Sequence, residues 1–523
     1  MSETGEAKAR RARRLAIARA RPSTADALDG NAEGACNGPE RRAVRPTASA
    51  LALALLLALA AGPVAAALPG PVGRMFVFAG VPLDAVGVVV QDVTKGQPLF
   101  AQHPERPRNP ASVMKLVTTF AALELLGPDY RWRTDAYLGG PLDNGVLHGD
   151  LILKGRGDPK ITVEQWQAFM GALRANGLSA IDGNLVLDRS HFAATAHDPA
   201  AFDGEPQKPY NVGPDALLVN FKTVRFTFAP SASADAVDLK VEPLLASVGV
   251  GAPPRLTAGE CGDWRAIVGA SFVDRGARAE AAFVGRYPAT CGEREWWVSL
   301  LDHPAYVHGM FDTYFRAAGG RFAGGWKSGT APAGGKPFAT LESPPLWDIV
   351  RDVNKLSNNV MAQQLFLTLA TTSAPPPATT ARAKEAVQQW LARRKLALPG
   401  LVLENGSGLS RRERISAGGL ARLLLAADAS AVREEFASSL AVAAMDGTLQ
   451  RRFQNGSVAG QALLKTGTLE GVRALAGYVI DAEGRRFVVV AIVNHANADK
   501  AQAALDFLVQ WVYRNGASWT PPR

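Results

Sequence analysis

Residues 109–116 read NPASVMKL, and in them a serine and a lysine stand three positions apart at the front of a long apolar run. A serine hydroxyl is a poor nucleophile at neutral pH and needs a base within reach, and a lysine at i+3 on a helix shares its face, one turn away. To serve as that base, Lys115 must shed a proton near neutrality. Burial, a neighbouring cation such as Lys465 and the positive end of a helix would each press its pKa down. The same helix end would favour a developing oxyanion. A helix cap followed by a surface lysine would explain this pair taken alone. Two further motifs follow in order, however: Ser357-Asn358-Asn359 and Lys465-Thr466-Gly467. Each is weak by itself; the three in sequence, each on the element it requires, point to nucleophilic acyl transfer.

The surrounding elements must bring these distant pieces together. The β-branched run 86–91, a turn at 94–97 and the run 98–102 predict a hairpin. Pro110 suits a first helical turn and Gly127-Pro128 a stop, so a helix is expected over 110–126, apolar on nearly every face and therefore buried. Between about 136 and 335 short β-rich pieces alternate with Gly, Pro and Asp turns. The Pro/Gly-rich stretch 330–345 reads as the return crossing. Helical spacing resumes over 347–370, around the Ser-x-Asn motif, and over 383–396. Three apolar runs, 462–468, 474–481 and 487–494, predict an antiparallel meander, and 500–513 a final amphipathic helix. Two early and three late strands would complete one sheet, with the residues between as an insertion.

The chain has 523 residues, 47% apolar and 20% charged, a globular balance with enough material for several cores. Of its net charge of +9, residues 1–67 hold ten Lys/Arg against six Asp/Glu, so the remainder carries only +5. That mild excess gives no footing for a nucleic-acid partner. Arg41, Arg42 and Arg45, the apolar run 48–61 and the small residues Ala65-Ala66-Ala67 resemble an export signal cleaved near Ala67. A retained anchor is the alternative. Cys36 falls in that segment. The remaining pair, Cys261 and Cys291, suggests one disulfide in an exported chain, two free thiols being the alternative. No CxxC or HExxH occurs and the seven histidines are scattered, so no metal or cofactor is expected.

The motifs together resemble the penicillin-recognising serine acyltransferases, and within them the three-domain D-alanyl-D-alanine carboxypeptidase/endopeptidases, the class C penicillin-binding proteins. The resemblance spans nearly the whole mature chain: PASVMKL at 110, GDLILKGRGDPKIT at 149, SPPLWDIVRDVNKLSNN at 343, NGSGLSRRERISA at 405, DGTLQRRF at 446 and LLKTGT at 464. It implies an α/β (α+β) fold: a transpeptidase/β-lactamase-like domain with an antiparallel five-stranded sheet flanked by helices, plus inserted β-rich domains. The expected catalytic domain is discontinuous, 68–135 and 340–523. The insertion is 136–339, divided into 136–188 with 296–339, and 189–295.

Carried over, the resemblance implies that Ser112 is acylated with Lys115 as its base, that Ser357 relays a proton to the leaving amine and that Asn359 holds the substrate amide. Lys465 and Thr466 would bind the terminal carboxylate, followed by Gly467 in the strand. The backbone N–H groups of Ser112 and Thr468 would form the oxyanion hole. Peptidoglycan stem peptides and cross-links are the implied partners and β-lactams the implied covalent inhibitors, in the periplasm. Peripheral membrane association and a homodimer stay open. Two positions depart from the pattern: Ala362 is followed by Gln363 rather than an acidic residue, and Asn405 stands where many relatives carry Asp. The rival readings are a serine β-lactamase and a catalytically idle wall-binding homologue. The first would need a dedicated water-activating base, and no glutamate followed by Leu-Asn, nor a Tyr-x-Asn, is found where one is expected. The second has no physical need of Ser112, Lys115, Asn359 and Lys465 together.

Overall fold

A computed structural model describes residues 67–519, apart from 233, 234, 455 and 517. The expected export signal and Cys36 lie outside the described residues. No helix among those described is long and apolar enough to cross a membrane.

A strand covered on both faces must be apolar at successive positions, and three segments meet that demand. They are Val86–Asp92, Val472–Ile480 and Arg486–Asn494, buried along almost their whole length. With Phe100–Gln102, Ala462–Leu469 and Ala441–Val442 they build one sheet. Its order is Phe100–Gln102, Val86–Asp92, Arg486–Asn494, Val472–Ile480, Ala462–Leu469, Ala441–Val442, with every neighbouring pair antiparallel. The sheet has six strands where five are expected from sequence. The extra one is only two residues long, too short to show an alternating pattern.

Side chains alternate across this sheet. Val88, Val90, Val489, Ala491 and Val493 enter one core with the helices Gly70–Phe78 and Gln502–Asn515. Val89, Val488, Val490 and Ile492 enter the other. That second core also takes Lys115–Leu126, Leu346–Lys355, Asn359–Leu369, Thr380–Arg393 and Ala417–Asp428. Lys115–Leu126 is buried on nearly every face, which explains its lack of a polar stripe.

The intervening region leaves and rejoins through adjacent strands. Arg133–Gly139 pairs antiparallel with Ala339–Glu342 in a five-stranded mixed sheet that also holds Asp150–Lys154, Leu185–Asp188 and Trp326–Ser328. This sheet therefore begins and ends about three residues outside the limits 136–339. The region is less purely β than its turn-rich sequence predicts. Two helices, Val163–Ala175 and His303–Ala317, pack into its core through Trp166, Phe169, Met170, Met310, Phe311 and Phe315. The first opens on a capping box between Thr162 and Gln165. Farther out, Cys261 and Cys291 are joined in a disulfide, Cα–Cα 4.8 Å, beside the paired strands Arg255–Thr257 and Arg286–Pro288.

Candidate active site

The Ser112 segment is a turn before it is a helix. Ala111–Met114 forms a 3-10 turn and the α-helix starts only at Lys115, whereas sequence predicts a continuous helix from 110. The tightening follows from Ala111, whose φ of 47° is left-handed. Asn109 sustains that conformation, accepting from the Ala111 amide at 2.9 Å and donating to the Ser410 carbonyl at 2.8 Å. Asn494, at the end of its strand, clamps Asn109 in turn, accepting from its N–H at 2.8 Å and donating to its carbonyl at 2.9 Å.

Lys115 is fully buried. Its Nζ lies 3.0 Å from Ser112 Oγ, 2.6 Å from Asn359 Oδ1 and 2.5 Å from the Ser407 carbonyl. The Asn359 amide is oriented by its other end, where Nδ2 donates to the Tyr210 carbonyl at 3.2 Å. Two of the three groups around Nζ can therefore only accept. A neutral amine would direct both N–H bonds at them and leave its lone pair facing the one neighbour that can donate, the Ser112 hydroxyl. Burial, reinforced by the Lys465 charge, pushes the Lys115 ammonium well below its ordinary pKa, while Glu413 pulls the other way.

Lys465 is equally buried and reaches the second motif. Its Nζ donates to Ser357 Oγ at 2.8 Å and to the Thr466 carbonyl at 2.9 Å. Burial brings its pKa down to about 7. Ser357 sits at a φ of 57° in the break between Leu346–Lys355 and Asn359–Leu369; Asn358 caps the second helix by accepting from the Met361 amide at 3.1 Å. Thr466, half-buried, donates to Thr448 Oγ1 at 2.8 Å, and Thr468 is exposed on the same strand. Gly467 permits the closest approach: a Cβ there would stand 2.5 Å from the Pro110 carbonyl oxygen, so any side chain would push the strand off the turn that carries Ser112.

The fold thus brings Ser112, Lys115, Ser357, Asn359 and Lys465 into one cluster. It sets Thr466, Gly467 and Thr468 along a single edge and leaves Cys261 and Cys291 in the intervening region. Sequence reasoning passes over Asn109, Tyr210, Thr448, Glu413 and Asn494. Asn109 lies inside the stretch 109–116, and Thr448 and Glu413 inside the motifs of the resemblance, yet nothing in the one-dimensional pattern assigns them a task.

Residues 80–514 match the D-Ala-D-Ala carboxypeptidase 3 (S13) family. The chain is 29% identical over 437 residues to a D-alanyl-D-alanine carboxypeptidase of Actinomadura sp. (strain R39), covering 80% of this chain and 79% of that one. It is 24% identical to the D-alanyl-D-alanine carboxypeptidase DacB of Haemophilus influenzae, over 78% of this chain and 85% of the relative. Its fold is similar to the crystal structure of penicillin binding protein 4 (dacB) from Haemophilus influenzae, with a TM-score of 0.69 at 22% identity, covering 85% of this chain and 99% of that one.

Proposed function

The chain belongs to the D-Ala-D-Ala carboxypeptidase 3 (S13) family, and we propose on that footing that it is a serine carboxypeptidase/endopeptidase of peptidoglycan working through an acyl-enzyme at Ser112. The observation that carries this reading is the set of neighbours around Lys115, which leaves a lone pair for the Ser112 hydroxyl and for nothing else.

In the first step Ser112 Oγ attacks the carbonyl carbon of the penultimate D-Ala while its proton passes to Lys115 Nζ. The oxyanion forms against the backbone N–H groups of Ser112 and Thr468. As the tetrahedral centre collapses, the C–N bond breaks and the leaving amine takes a proton, with Ser357 as the relay from the lysines. Water then attacks the ester, Lys115 again accepting a proton, and Ser112 is restored. Lys465 and Thr466 hold the carboxylate of the leaving residue. A pKa of about 7 leaves Lys465 near half-charged in the free protein, and an arriving carboxylate favours its charged form. Asn359 presents its amide to the substrate backbone while orienting Lys115.

A terminal D-Ala and a D-Ala to diaminopimelate cross-link are both acyl-D-Ala donors, so one site handles both. A β-lactam enters as an acyl donor and leaves a slow ester on Ser112. Residues 68–135 with 340–523 form the catalytic domain of this reading, and 136–339 the insertion. The site of action is the periplasm, after cleavage of the export segment near Ala67.

The test is labelling with a fluorescent penicillin, wild type against Ser112→Ala, followed by mass spectrometry of muropeptide digests. Labelling of the wild type alone, with loss of D-Ala or of cross-links from its digest, is the expected result. Equal labelling of both proteins would remove Ser112 from its role.

A further inference from the structure

Outside the three motifs, one buried acid faces the machinery. Glu413 has no exposed surface, and its Oε1 accepts three backbone N–H bonds, from Glu404 at 2.9 Å, Asn405 at 3.0 Å and Gly406 at 2.9 Å. The chain wraps this single oxygen as a nest, helped by left-handed Gly406 and Gly408 with φ of 70° and 81°. A Cβ on Gly408 would collide with the Ala111 carbonyl at 2.0 Å, so the loop is seated directly on the nucleophile turn. Its Ser407 carbonyl is the 2.5 Å acceptor for Lys115 Nζ. The other carboxylate oxygen, Oε2, is buried without a hydrogen-bond partner among the described residues. A buried carboxylate is costly, and a core that needed only loop rigidity could have used an amide or a hydroxyl.

Resting on the acyl-transfer reading above, we infer that Glu413 is a positioning residue for Lys115: it holds the loop whose Ser407 carbonyl accepts from Nζ, and it places a carboxylate next to the lysine's buried pocket. Lys115 is faced by Lys465 from the strand Ala462–Leu469 and by Glu413 from the loop; its other neighbours, Ser112, Asn359 and the Ser407 carbonyl, do not titrate near neutrality. Around Glu413 the charged groups are Lys115, and Glu404 and Arg412, which pair with each other in the same loop. Burial pushes the Glu413 carboxyl up, and the loop amides and Lys115 oppose that push. A lysine driven too far down would be neutral yet feebly basic, and general-base catalysis is strongest when the pKa lies near the working pH.

The experiment compares wild type, Glu413→Gln and Glu413→Asp. Glutamine keeps an acceptor for the amides and deletes the charge; aspartate keeps the charge one methylene farther back. Two readouts are taken: the acylation rate with a fluorescent penicillin against pH, and the 13Cε chemical-shift titration of Lys115, which needs no activity. The expected result for Glu413→Gln is an acid limb and a Lys115 titration displaced to lower pH by about one unit, with a several-fold lower plateau. Glu413→Asp falls between it and wild type, and settles the question by itself should the glutamine variant not fold. A lower plateau with the Lys115 titration unmoved would show a purely structural role and overturn the inference. If wild type fails to label at all, the acyl-transfer reading fails, while the Lys115 titration still decides for or against Glu413.

Discussion

Lys465 donates to Ser357 across 108 residues of sequence, Nζ to Oγ at 2.8 Å, tying the Lys-Thr-Gly strand to the break between two helices. The same ammonium lowers the pKa of Lys115, and in the proposed acyl transfer the two lysines divide the work: one neutral to take a proton, the other charged to hold a carboxylate.

That division predicts a bell-shaped dependence of kcat/KM on pH. Activity rises as Lys115 loses its proton, at a pH well below the usual lysine range, and falls as Lys465 loses its own above about 7. Lys465→Arg, whose guanidinium does not titrate in this range, is expected to abolish the falling limb at a cost of tenfold or more in rate. Stopped-flow acylation between pH 5 and 10 reads both limbs; a falling limb unmoved in Lys465→Arg would assign it to another group.

Stability should respond to pH through the same residue. Lys465 titrates at about 7 when folded and near 10.5 in a free chain, so between those values the unfolded state binds more protons and folding strengthens as pH rises. Relative to Lys465→Met, wild type is expected to gain up to about 1.4 kcal/mol for each pH unit in that window, in keeping with an ammonium that is disfavoured when buried. Urea midpoints of both proteins at pH 7 and pH 9 measure it, and parallel curves would contradict it.

Gly467→Ala tests the contact between strand and turn. A methyl 2.5 Å from the Pro110 carbonyl cannot be accommodated without displacing backbone. The expected loss is about 1–3 kcal/mol of stability, with a drop in penicillin acylation of at least roughly tenfold as Ser112 shifts. Near-wild-type rates would mean that the turn tolerates movement.

The disulfide should matter for the intervening region and not for the chemistry. Opening the link between Cys261 and Cys291, 30 residues apart, releases a loop whose closure is worth about 3–4 kcal/mol in the chain-entropy account. Cys261→Ser with Cys291→Ser is expected to lower the Tm and increase proteolysis near 255–291, leaving the acylation rate within about twofold. An equal fall in acylation would tie this region to the site.

The long apolar runs are legible because burial imposes composition. Val86–Asp92, Val472–Ile480 and Arg486–Asn494 have to be apolar on both faces, and each appears within two residues of its expected limits. The helices Val163–Ala175 and His303–Ala317 are hidden among turn residues, and the two-residue strand Ala441–Val442 carries no pattern of its own. The 3-10 start at Ala111 escapes because its cause, the Asn109 clamp onto Asn494, spans 385 residues.

Sequence alone determined which residue types were on hand: three hydroxyls, two amines, an amide and a glycine, in an order and spacing suited to acyl transfer. Only the tertiary structure decided that Lys115 is sealed from water, that its two other acceptors leave a lone pair for Ser112, and that Glu413 lies behind it. Proton affinity and hydrogen-bond direction depend on what surrounds an atom in space, and here those surroundings are gathered from segments up to 350 residues apart along the chain.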